Sequence, residues 1–241
     1  MARGAAGSAA GRCAIALVSG GMDSAVSAAI ALAQNAELAF LHVSYGQRTW
    51  RKELACFRAL ARHYGVGLGF EVKLPHLAAA GGSCLTDRGI AVPTDALGAL
   101  GVPVSYVPFR NANLLACATS IAEGIGARTI YIGAVEADSS GYPDCRRAFF
   151  RSFERVIREG TRPGSRIAIR TPVIGMSKGE IVRQGTRLGV PFDLTWSCYQ
   201  GTKVACGRCD SCLLRLRGFR EAGVRDPIPY RKRLPRSPRG S

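Results

Sequence analysis

The chain has 241 residues, enough for one α/β domain with a sizeable core and a small appendage, and too few for a second full domain. Its formal charge of +16 and pI near 10.1 point to an anionic partner, whether nucleic acid, an acidic membrane surface or a polyphosphate ligand. No apolar run reaches the ~18 residues that a bilayer span needs, and the apolar segment after MARGAAGSAAGR is too short for a leader, so a cytoplasmic location is expected.

In chain order, CAIALVS (13–19) reads as a strand and DSAVSAAIALAQ (23–34) as a helix. ELAFLHVSY (37–45) follows as a strand, WRKELACFRALARHYG (50–65) as a helix ending at Gly, and VGLGFEVKL (66–74) as a weaker strand. Residues 75 to 108 carry Pro75, Gly81, Gly82, Pro93, Pro103 and Pro108 with little periodicity, which predicts a long insertion over the carboxyl edge of a sheet. ANLLACATSIAEGIG (112–126) is a helix and RTIYIGA (128–134) a strand. Cys145 to Gly160 is helical, RIAIR (166–170) a strand, and KGEIVRQGTRLG (178–189) a helix closing at Gly189 before Pro191. The alternation predicts an α/β fold with a doubly wound, mostly parallel sheet over residues 13–195.

The first strand stops at Ser19-Gly20-Gly21 and the chain restarts as a helix at Asp23. That arrangement places glycines where backbone approaches a ligand and aims free helical N–H groups at it, which suits an anion. The turn lacks the Lys of the GxxxxGK[ST] loop and the third Gly of GxGxxG, so neither of those nucleotide folds is indicated. Taken singly, the glycines need only make the turn and Asp23 is an ordinary N-cap. As a unit, SGGMDS at the end of a first strand resembles the SGGxDS motif of the PP-loop ATP pyrophosphatases, which cut ATP between its α and β phosphates and leave AMP on a substrate oxygen. The resemblance implies an adenine nucleotide alpha hydrolase-like fold. It lays ATP along Val18, Ser19, Gly20, Gly21, Met22, Asp23, Ser24, Ala25, Val26, Ser27 and Ala28.

Nine cysteines are an odd number in a chain that is not small, and four of them stand as C-x7-C-x2-C-x2-C near the end. Cys198, Cys206, Cys209 and Cys212 match a closed, structural zinc site, one ion per chain. An iron–sulfur cluster or a redox pair are the competing uses of such spacing. Cys13, Cys56, Cys84 and Cys117 read as small packing residues, and Cys145 stands apart from them in a loop.

SYGQR (44–48), VPFRN (107–111) and GAVEADSSGYPDCR (133–146) each follow or precede an element at the carboxyl edge, where ligands bind in such sheets. With SGGMDS, TPVIGMSK and CYQG…CGRCDSCLLR they resemble the 7-cyano-7-deazaguanine synthases, nitrile-forming enzymes of queuosine and deazapurine pathways, from about Cys13 to Phe219. The resemblance implies ATP-dependent conversion of 7-carboxy-7-deazaguanine and ammonia to the nitrile through an adenylylated acid and an adenylylated amide. It implies magnesium on the phosphates with Asp23 as a ligand, catalysis by Asp23, Ser24 and Lys178, and a homodimer. A guanine-like edge offers donors that a carboxylate reads, so Asp144 and Glu136 are candidates, with Asn111 and Asp138 beside them. Arg110 or Arg146 would hold the substrate carboxylate, and Tyr142 would stack on the base.

From Arg215 to Ser241 there are nine Arg or Lys against Glu221 and Asp226. Residues 196–219 are therefore expected to form the zinc segment and 220–241 a basic, solvated tail, with nucleic acid not expected as a partner. Two rival readings are a tRNA-modifying PP-loop enzyme and a zinc-stabilised nucleic-acid-binding module. The first lacks a relay thiol or RNA-binding module, and the second leaves SGGMDS and GYPDCR without a use.

Overall fold

The computed structural model describes residues 13–98, 101–136 and 141–231. Its elements are β1 (Cys13–Leu17), α1 (Met22–Gln34), β2 (Glu37–Ser44), α2 (Trp50–His63), β3 (Gly69–Lys73), a short α3 (His76–Ala79), α4 (Arg110–Ile125), β4 (Thr129–Ile132), α5 (Arg147–Gly160), β5 (Ala168–Arg170), α6 (Lys178–Arg187) and α7 (Asp210–Glu221). The five strands are all parallel, in the order β3-β2-β1-β4-β5. β1 is central: Ile15 pairs with Ala39 on one side and with Ile130 on the other.

The strands read as continuous apolar runs because both faces are covered. Ala14, Ala16, Val18 and Phe40 join Phe57 and Leu60 of α2 and Ile181 and Val182 of α6 around α1. Ile15, Leu17, Leu41 and Ile130 face Leu115 and Ala118 of α4 and Phe150 and Ile157 of α5. Each large side chain buried in this way contributes about 1.5–3 kcal/mol. The alanines of α1 let that helix lie very close to the sheet. A Cβ added at Gly133, just past β4, would sit 2.7 Å from the Ser24 Cα and N, so β4 ends against the first turn of α1.

β2 and β3 extend from one side of β1, and β4 and β5 from the other. The connections therefore diverge at the carboxyl end between β1 and β4, which opens a crevice there. The aperiodic insertion after β3 is held over it by its own small core of Leu77, Cys84, Leu85 and Val107 with Tyr45. The Arg48 guanidinium supplies donors to the carbonyls of Cys84 (2.6 Å), Asp87 (2.8 Å) and Ile90 (2.6 Å). A loop that lacks periodicity thus gains order from one side chain that satisfies its backbone.

The C-terminal part departs from the expectation of a solvated tail after residue 219. The Ala205 N–H donates to the Pro229 carbonyl and the Arg231 N–H to the Ala205 carbonyl, both at 2.9 Å, and Ile228 is buried with Trp196 and the cysteines. The cause lies in Arg215, which the charge count had assigned to the basic end. It is 1% exposed and makes a two-pronged ion pair with Asp226 at 2.8 and 2.9 Å. A buried guanidinium needs its counter-ion, so the chain must return far enough to deliver Asp226. Residues 1–12 and 232–241, the remainder of the expected leader-free start and tail, lie outside the described residues. Among the described residues no helix is long and apolar enough to cross a membrane.

Candidate active site

A cavity of about 290 Å³ occupies the crevice, with the Ser19–Ser24 turn at one end and Arg110 and Tyr142 at the other. The turn is held from within. The Ser24 hydroxyl donates to the Gly21 carbonyl at 3.0 Å and accepts the Ser19 N–H at 3.2 Å, while the Gly21 N–H donates to Ser19 Oγ at 3.2 Å. The first intrahelical bond is Ala25 N–H to Gly21 O, so the amides of Met22, Asp23 and Ser24 stand ahead of it at the positive end of α1.

The two glycines serve different ends. Gly20 is buried with φ +87°, and a Cβ there would lie 2.6 Å from the Glu53 carbonyl, so it permits close packing on α2 and does not line the cavity. Gly21 does line it. Val18, Ser19, Met22, Asp23 and Ser24 line it as well. Ala25, Val26, Ser27 and Ala28 do not: the next turn of α1 rotates them into the sheet, where all four are buried.

Lys178 reaches the same place from α6. A capping box between Ser177 and Glu180 fixes the start of that helix, and Lys178, 6% exposed, donates from Nζ to Asp23 Oδ2 at 2.8 Å. Asp23 Oδ1 is buried and, among the described residues, accepts no hydrogen bond. A cation and a carboxylate 155 residues apart thus meet beside the helix terminus.

At the other end, Arg110 Nη1 donates to the Tyr45 hydroxyl at 3.2 Å and the guanidinium lies 5.8 Å from each of the Tyr45 and Tyr142 rings. Its Nε is buried and has no acceptor among the described residues. Asn111, Tyr142 and Cys145 line the cavity beside it. Burial pushes the Cys145 thiol up to about 11, so it is protonated and unsuited to nucleophilic attack. Asp144 sits one layer behind: Oδ2 accepts the Asn111 N–H at 2.9 Å, and Oδ1 is buried with no donor among the described residues. Glu136 faces Arg147 at 3.4 Å, and the Arg146 guanidinium donates to the Pro143 carbonyl at 3.0 Å; neither lines the cavity. Asp138 lies outside the described residues.

Several lining residues have no local sequence signature. Glu53, Trp196, Tyr199 and Arg215 come from α2 and from the cysteine segment. The Trp196 backbone N–H donates to the Gly20 carbonyl at 2.8 Å, which ties that segment to the Ser19–Ser24 turn.

The four sulfurs of Cys198, Cys206, Cys209 and Cys212 all lie within 4.8 Å of one another. Cys198 Sγ accepts the N–H groups of Gln200 (3.4 Å), Gly201 (3.1 Å) and Cys206 (3.3 Å), and Cys206 Sγ accepts those of Arg208 (3.4 Å) and Cys209 (3.3 Å). Backbone donors aimed at sulfur suit thiolates, and all nine cysteines are unpaired. The cluster fits a tetrahedral metal ion in closed coordination.

A family model described as "Queuosine biosynthesis protein QueC" matches residues 13–223. A 7-cyano-7-deazaguanine synthase of Chlorobium phaeobacteroides is 57% identical over 91% of this chain and 97% of its own, and one of Chlorobaculum tepidum is 56% identical over the same shares. A solved NMN synthetase from Francisella tularensis overlaps 89% of this chain and 78% of its own at 12% identity, with a TM-score of 0.48. A match running from the first strand past the last helix, with more than half of the residues shared with synthases of that name, makes this chain a member of the QueC family.

Proposed function

We propose that the chain makes 7-cyano-7-deazaguanine from 7-carboxy-7-deazaguanine and ammonia, using one ATP to activate the acid and a second to activate the amide, in queuosine or deazapurine biosynthesis. The observation that carries this is one cavity with two chemically distinct ends. Unpaired helix amides beside Lys178 face one end, and a guanidinium clamped between tyrosines faces the other.

A carboxylate is a poor electrophile, so its oxygen must first attack the α-phosphate. The amides of Met22, Asp23 and Ser24 and the ammonium of Lys178 then take up charge on the departing pyrophosphate. Arg110 holds the substrate carboxylate, and Tyr142 stacks on the base. Arg146 and Glu136 are occupied elsewhere, which favours Arg110 over Arg146, and Asp144 acts through Asn111. Dehydrating the amide repeats the same activation on its oxygen.

Magnesium, held by Asp23 Oδ1, would neutralise phosphate charge. The four cysteines would hold one structural zinc, with residues 13–195 as the ATP-binding part and 196–219 as its zinc segment. A cytoplasmic homodimer with small-molecule substrates, and without membrane or nucleic-acid partners, completes the proposal.

The test is to incubate the protein with ATP, ammonium and the 7-carboxy compound and to follow nitrile, AMP and pyrophosphate by mass spectrometry. Nitrile is expected, together with folded but inactive Asp23→Ala and Ser24→Ala variants. Absence of nitrile, or wild-type pyrophosphate release from both variants, would overturn the assignment.

A further inference from the structure

The reaction as drawn needs a nucleophile that does not exist in quantity at neutral pH. Ammonia in water is almost all ammonium, which has no lone pair, and each amide formed from it must shed two protons. A group lining the cavity must accept the first of them. Among the described residues two carboxylates line that cavity, Asp23 and Glu53. Asp23 already holds Lys178 at 2.8 Å. Among the described residues Glu53 makes no ion pair; its Oε1 accepts the Thr49 hydroxyl at 2.7 Å and its Oε2 accepts Gln47 Nε2 at 2.9 Å.

The position of Glu53 is specific as well. It lies in the first turn of α2, and its backbone carbonyl is the atom against which Gly20 packs, so it borders the phosphate-facing turn. Gln47, which holds Oε2, accepts the Tyr45 N–H at 2.8 Å, and the Tyr45 hydroxyl accepts from Arg110 at 3.2 Å. One short loop, SYGQRT, therefore fixes the acid at the phosphate end and the guanidinium at the carboxylate end. Each carboxylate oxygen uses one of its two lone pairs on that loop, which leaves acceptor capacity for a cation the size of ammonium.

We propose that Glu53 is a catalytic residue that receives ammonium and acts as its general base, a role that rests on the synthase reading above. As the N–C bond forms from the nitrogen lone pair, one ammonium proton passes to Glu53. The C–O bond to AMP breaks with its electron pair, and the AMP phosphate takes the second proton. The products are the amide, AMP and protonated Glu53, which returns its proton to water before the second activation.

The experiment uses the full chain with ATP and the 7-carboxy compound, and compares ammonium with hydroxylamine, an amine already unprotonated at neutral pH. Glu53→Gln is expected to lower ammonium-dependent product by about 10²–10⁴-fold, the usual worth of a general base, while hydroxamate formation stays within about threefold of wild type. Pyrophosphate released without any amine reports the adenylylation step and confirms an intact fold, and Glu53→Asp should restore part of the ammonium reaction. Equal loss with both amines, a raised KM for ATP with the ammonium response unchanged, or no effect at all would each overturn the role. Failure of the wild-type chain to release AMP with the 7-carboxy compound would instead overturn the reading on which it rests.

Discussion

The Ser19–Ser24 turn and the C-terminal cap around Arg215 solve the same problem by opposite means. The turn assembles from residues 17–24 by local geometry: a strand stops, Ser19, Gly21 and Ser24 close a ring of hydrogen bonds, and α1 presents its free amides. It presents backbone groups fixed by two serine hydroxyls. The cap is built from side chains brought from far apart. Arg215 donates to Asp226, to the Thr195 hydroxyl at 2.7 Å and to the Phe192 carbonyl at 3.0 Å, and Asp226 also accepts the Tyr230 hydroxyl at 2.6 Å. The adjacent Trp196 N–H then reaches Gly20. A site made of backbone needs an external brace to hold it in register, and here the brace is a charge buried with all its partners.

The largest break in this comparison should come from the cysteines. Structural zinc in a small site carries on the order of 10 kcal/mol of apparent binding free energy. Stripping metal with a strong chelator, or replacing Cys206 and Cys209 by Ser, is expected to abolish the native fluorescence of Trp196, which packs on the cluster, and to lower the melting temperature steeply. Identical melting with and without chelator would show that the cap stands on its hydrogen bonds alone.

A smaller effect should follow from Asp226→Ala. Leaving Arg215 buried without its partner costs about 3–5 kcal/mol, measurable as a shift in the urea midpoint, and the paired change Arg215→Met with Asp226→Leu should recover most of it. Ser24→Ala, at the opposite pole, should change stability by about 1 kcal/mol or less while removing activity. Similar midpoints for Asp226→Ala and wild type would mean that the ion pair braces nothing.

The smallest effect is expected from ending the chain after Arg231. The last backbone bonds of the cap are made by Pro229 and Arg231, so melting temperature and turnover should match the full chain, as checked by calorimetry and the nitrile assay. A clear loss of turnover on this truncation would give residues 232–241 a part in the reaction.

The sequence by itself determined the order of the five strands and of the long helices up to α6, the parallel class of the sheet and the opening turn, because each rests on periodicity or on contiguous residues with restricted backbone geometry, whereas it gave no sign of the short α3 or of α7. The cysteine spacing likewise announced a converging cluster, since two-residue gaps leave little choice of where the sulfurs point. What only the tertiary structure decided were contacts between residues with no fixed separation. Lys178 on Asp23, Trp196 on Gly20 and Glu53 beside the Ser19–Ser24 turn each join distant segments, and no local pattern encodes them. Arg215 counted as one more solvated cation of a basic end until packing closed around it. The counter-ion that burial then required drew residues 224 to 231 back onto the fold.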